Sequence, residues 1–158
     1  MNNLASGANG QTDIEGEKNG TYAPSKCLAN LATPIKEMKM RLMVLVKATK
    51  ESELGVLPTA ELLEAMGAYN QELINAGILR SGDGLKPSSK GVRIAFNGPN
   101  RSVVEGPFAA TSELVAGFWL WEVKDMEEAI AWAKRCPNPM PTPSELELRP
   151  LYEEADFL

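Results

Sequence analysis

The run VAGFWLWEV, Val115–Val123, has strand length and two apolar faces: Val115, Gly117, Trp119, Trp121 and Val123 alternate with Ala116, Phe118 and Leu120. A strand that is apolar on both sides needs cover on both sides. On the C-terminal side, Asp125-Met126-Glu127-Glu128 has the D-x-x-E spacing of a capping box. It opens a helix whose apolar stripe is Met126, Ala129, Ile130 and Ala133, and Pro137 ends it. ELELR then alternates strictly, as a half-exposed strand does, and LYEEADFL is an acidic tail with apolar hooks at Tyr152, Phe157 and Leu158.

On the N-terminal side, VRIAFNGPNRSVVEG is two alternating runs around Asn97-Gly98-Pro99-Asn100, a hairpin signature. Before it, ILRSGDGLKPSSKG reads as a short strand entering a loop rich in Gly, Pro and Ser. The periodicity of Leu62, Leu63, Met66, Tyr69, Leu73 and Ile74 predicts a helix over roughly 59–76, with Thr59 as N-cap, Gly77 as C′ residue and Ile78 as its apolar contact. Gly67 inside that helix implies that another backbone approaches closely there. RLMVLVK, from Arg41, is a central buried strand. The order is βα, a three-strand antiparallel stretch, then αβ, which matches a ferredoxin-like α+β sandwich with both helices on one face. The other face is too apolar to stay wet, and the simplest cover is a second copy about a two-fold axis. Tryptophans on that face would be interface core or pocket wall.

Residues 1–37 are rich in Gly, Asn, Ala and Ser without periodicity. They read as a disordered or loosely attached extension, and the Met38/Met40 pair marks the start of a domain over 38–158. With 44% hydrophobic and 23% charged residues in 158, the composition is globular. No apolar stretch approaches a membrane span and the first residues lack a basic and an apolar signal region, so the expected location is cytoplasmic, with no membrane partner. Residues 1–37 hold 3 basic and 4 acidic residues, 38–143 hold 12 of each, and 144–158 hold 1 basic against 5 acidic. That balance argues against nucleic acid as partner. One local excess stands out: five basic residues against Asp83 alone between Arg80 and Arg101, either an anion-attracting patch or a solvated hairpin surface.

The chain contains no histidine, so Ser-His-Asp, Cys-His and His-metal chemistry are absent. Cys27 and Cys136 are too few for a disulfide framework or a common zinc site, and Cys136, after a helix C-terminus, is badly placed to form a thiolate. No dinucleotide or P-loop spacing occurs; no cofactor or metal is expected. Asp83 and Glu105, each beside glycine, are the acid/base candidates, and the competing reading is that each caps a turn. Lys86 and Arg93 are candidates to bind an anionic group. Phe108, Trp119, Trp121 and Tyr69 could stack on a flat ligand or fill the core.

Several segments together, from Met38 to Phe157, resemble the YCII-related or DGPF-domain proteins: MRLMVLVKATKESE, YNQELINAGIL, GDGLKPSS, EGPF at 105–108 with Thr111-Ser112-Glu113, GFWLWEVKDMEEAIAWAKRCPNP, and ELELRPLYEEADF. The resemblance implies a dimeric α+β barrel of the ferredoxin-like type, with a pocket between sheet and helices or at the dimer edge, and no known reaction. Glu105 stands where the name motif has Asp, and Asp83 where the pocket loop commonly has Glu. The His and Asp suspected as the catalytic pair in enzyme-like relatives fall near Met66 and Cys136, neither of which can do that chemistry. The expected function is a homodimer, paired through the sheet face, that binds a small anionic or carbonyl compound, with a cofactor-free lyase or isomerase step at Asp83 or Glu105 as its enzymatic form. The alternative is a non-catalytic interaction or regulatory module, since such relatives are often encoded beside or fused to sigma factors.

Overall fold

The computed structural model describes residues 39–158, so the extension expected over 1–37 lies outside the described residues. The elements are β1 (Met40–Lys47), α1 (Lys50–Glu53), α2 (Ala60–Asn75), β2 (Leu79–Gly84), β3 (Val92–Asn97), β4 (Asn100–Glu105), β5 (Val115–Val123), α3 (Met126–Ala133) and β6 (Leu146–Pro150). Single 3-10 turns lie at Ser88–Lys90, Thr111–Glu113 and Glu154–Phe157.

A four-stranded sheet runs β2-β5-β1-β6, antiparallel throughout. The chain is α+β, and the sheet does not close into a barrel within it. β1 and β5 form its centre, with Leu42 opposite Trp121 and Val44 opposite Trp119. These four residues, with Val46 and Val123, are buried beneath Tyr69 and Leu73 of α2 and Ala129 of α3. Burying side chains of this size contributes about 1.5–3 kcal/mol each. Both helices therefore cover the same face. On the opposite face Met43, Leu45, Phe118 and Leu120 form a half-exposed apolar block. Its surround is charged: Arg41 and Glu122 at one end, Glu147 and Arg149 along β6. The tryptophans are thus on the helix side, not on the open face. The reason is register: they share the parity of Val115 and Val123, which the helices cover.

Local chemistry explains the helix ends. Thr59 accepts from the Leu62 N–H at 3.2 Å, capping α2 as the sequence implies. Gly77 at φ 71 lets the Ile78 N–H reach the Leu73 carbonyl and its own N–H reach that of Ile74, both at 2.9 Å, a Schellman closure that an L side chain resists. Asp125 caps α3 by accepting from the Glu128 N–H at 2.9 Å. The Glu128 carboxylate accepts from the N–H of Lys124, one residue before the position a capping box uses.

Three expectations change. Nothing approaches within 4 Å of a side chain built at Gly67, which faces solvent. Leu63 and Ile74 flank the buried stripe, 59% and 53% exposed. The hairpin does not join the main sheet: β3 and β4 pair only with each other, because β2 takes the free edge of β5. Pro87, which has no N–H to extend a ladder, and the Ser88–Lys90 turn separate β2 from β3.

Candidate functional site

A cavity of about 470 Å³ opens where the loop after β2 meets the turn after β4. Lys86, Lys90 and Arg93 supply three positive charges to its wall, Glu53 and Glu113 two negative ones, and Leu85, Phe108 and Leu114 the apolar part. Arg93 lies over the Phe108 ring, 4.0 Å from its centre, so its charge is presented from a fixed place.

The cavity is held by a relay of hydrogen bonds. The carboxylate of Glu53, at the end of α1, accepts from the Ser88 N–H at 3.1 and 3.2 Å and from the Ser88 hydroxyl. Ser88 Oγ in turn accepts from the Phe108 N–H at 3.1 Å. Three segments distant in sequence are joined at one point. Gly106 makes the junction possible: its N–H donates to the Gly91 carbonyl at 3.0 Å, and a Cβ there would run into the backbone of Ser88. α1 itself is one turn, closed by a reciprocal pair in which the Ser52 N–H donates to Thr49 Oγ1 and the Thr49 N–H to Ser52 Oγ.

Lys86, Arg93 and Phe108 are therefore brought together. Asp83 and Glu105 do not line the cavity. Asp83 pairs with Phe118 and so stands on the open-face side of the edge strand β2; Glu105, opposite Val92, ends β4 exposed. Trp119 and Tyr69 do not line it either, since both are buried in the core between α2 and the sheet and meet edge to face at 6.4 Å. The Trp119 indole N–H donates to Asn70 Oδ1 at 3.1 Å, and the Tyr69 hydroxyl donates to the Trp132 carbonyl at 2.8 Å. Burial pushes the Tyr69 phenol above its ordinary range. Glu53, Ser88 and Glu113 were missed by the sequence reading. The only trace of Glu53 is Thr49-Lys-Glu-Ser52, whose spacing marks a capped turn.

A second cavity of about 380 Å³ lies between α3 and β6, lined by Cys136 and Leu146 among others. Burial pushes the Cys136 thiol up to about 11, so it stays protonated at neutral pH. Among the described residues, no group of three His, Cys, Asp or Glu is placed to hold a metal, and no helix is long and apolar enough to cross a membrane.

The family model of the YCII-related domain matches residues 40–153, which includes every element of both sheets. An uncharacterized protein of Rhizobium meliloti (strain 1021) is 28% identical over 90 residues, covering 57% of this chain and 73% of the relative.

Proposed function

Since the chain belongs to the YCII-related domain family, we propose that it is a cytoplasmic, homodimeric protein that binds a small anionic or carbonyl compound in the cavity beside Ser88. The observation that carries this reading is the placement of Lys86, Lys90 and Arg93 around one cavity that Leu85, Phe108 and Leu114 also line. Cations flanking a pocket attract an anion from solution, and the Phe108–Leu114 surface accepts its carbon skeleton. Glu53 is committed to Ser88 and holds the wall in place. Where the bound compound undergoes a cofactor-free lyase or isomerase step, the lining carboxylate available to take a proton is Glu113, not Asp83 or Glu105.

The strand order fits a ferredoxin-like sandwich, and the dimer follows from the open face: an apolar centre of Met43, Leu45, Phe118 and Leu120 with a charged surround is the layout of an interface. Two such sheets face to face form the barrel that one chain does not. Light scattering at micromolar concentration should give twice the chain mass, and Leu120→Asp should give monomer, because it buries a charge without a partner.

The test of binding is a thermal-shift screen of small carboxylates, phosphates and carbonyl compounds against the wild type, Lys86→Ala and Arg93→Ala. Stabilising compounds should lose most of their effect in both variants. Shifts unchanged in both would place the site elsewhere; no shift with any compound and an intact dimer would favour the interaction-module reading.

A further inference from the structure

The β3–β4 hairpin presents an apolar face that the described residues leave uncovered. Val92, Ile94 and Phe96 share that face with Glu105, Val103 and Arg101 of β4, Glu105 at its base opposite Val92 and Arg101 at its tip opposite Phe96. The four apolar side chains are 60, 46, 72 and 66% exposed, and the hairpin is exposed along its whole length. A two-stranded hairpin is marginal alone in water, and an exposed apolar strand pair is a site of association. Arg101 stacks on Phe96 at 4.4 Å and donates only to the Gly98 and Asn100 carbonyls, both at 2.8 Å. Its charge has no carboxylate opposite it within the described residues.

The complementary surface is the turn that follows β6. Tyr152 and Phe157 form a tilted ring pair 5.4 Å apart, 77% and 75% exposed, among Glu153, Glu154 and Asp156. The tip of the hairpin face is apolar and basic, the turn after β6 apolar and acidic. They belong to opposite ends of the same sheet. The hairpin departs after Gly84, which pairs with Gly117 opposite Val46. The acidic turn is tied to the start of β1, by the Leu151 N–H on the Arg41 carbonyl and by Arg41 on Glu153. Those anchor points, Val46 and Arg41, are five residues apart along β1, roughly 17 Å. The hairpin leaves edge strand β2 and the turn follows edge strand β6, so the two lie at diagonal corners of the sheet, and two copies apposed by their open faces about a two-fold axis along the other diagonal set each of these corners over the opposite one of the partner.

We propose that the hairpin is a clasp which docks on the C-terminal turn of a second copy, Phe96 against Tyr152 and Phe157, and Arg101 against Glu154 and Asp156. The contact occurs twice per dimer, and it rests on the open-face dimer proposed above.

The test uses the full chain. Sedimentation equilibrium at low salt is run on the wild type, Arg101→Glu, Glu154→Arg and the double variant. Each single variant should weaken dimerisation about tenfold and the double should recover most of it, since the swapped charges again oppose. In parallel, a photo-crosslinking amino acid at position 96 is activated in a dimer re-formed from light and isotopically heavy chains; crosslinks should join position 96 to residues 151–158 and carry one light and one heavy peptide. Unchanged dimerisation in both single variants, no recovery in the double, or crosslinks confined to one isotope would overturn the clasp. A wild type that stays monomeric would overturn the open-face dimer as well, whereas a dimer abolished by Leu120→Asp but indifferent to both charge swaps would overturn the clasp alone.

Discussion

Ser88 is where the site depends most on single atoms. Gly106→Ala would drive a methyl group into the Ser88 backbone, and backbone cannot swing aside as a flexible side chain can. Its expected cost is about 2–3 kcal/mol in urea unfolding, with loss of every ligand-induced thermal shift. The two core tryptophans make a finer comparison. Trp119 donates to Asn70, whereas the Trp121 indole N–H is buried with no acceptor among the described residues. Trp119→Phe strands the Asn70 oxygen, while Trp121→Phe removes an unpaired donor, so the first should cost about 1 kcal/mol more than the second in the same assay. Single residues were readable from sequence where the partner is a neighbour, as with Thr59 and Asp125, whose caps lie three residues ahead. Glu53 was not, because its partner Ser88 is set by tertiary packing and nothing in the intervening sequence fixes the distance between them.

At the level of elements, alternation in Arg41–Lys47 and Val115–Val123 told which residues share a face, and the observed registers agree. It could not tell which edge a strand takes. The alternation of β3 and β4 is compatible with any antiparallel sheet, and their isolation depends on β2 occupying β5 first. For the same reason Asp83 read as a loop residue near Lys86, although β2 continues through it and turns it toward the open face. The end of α2 offers a test at this scale. Gly77→Ala puts a Cβ into a left-handed conformation, at an expected cost of about 1–2 kcal/mol by denaturant titration, with no change in the cavity. Gly67→Ala, in open space within the same helix, should instead stabilise by up to about 1 kcal/mol.

Across the whole molecule, charge pairs border the open face. Arg41 donates to both oxygens of Glu153, at 2.9 and 3.0 Å, and Arg80 holds Glu122 at 2.7 and 3.1 Å. Hydrogen bonding to arginine holds both carboxyls below their ordinary 4.5. A lowered carboxyl value contributes stability that is complete above 4.5 and is lost as the pH falls through the lowered value. The urea midpoint should therefore drop on acidification below 4.5, and Arg41→Gln should flatten part of that drop, because Glu153 then titrates alike in the folded and unfolded chain. An equal slope in the variant would show that Glu153 gains nothing from its partner.

The strand order also sets a schedule. β1 is an inner strand of the sheet, yet both of its neighbours, β5 and β6, are made long after it. On a ribosome adding ~5–20 residues per second, the run Leu42–Val46 waits roughly 5–20 seconds for β6, with the row of backbone groups on that edge unpaired throughout. A segment with that composition and that delay is a natural client for a chaperone at the exit tunnel, and slower translation of the stretch before β5 would lengthen its exposure.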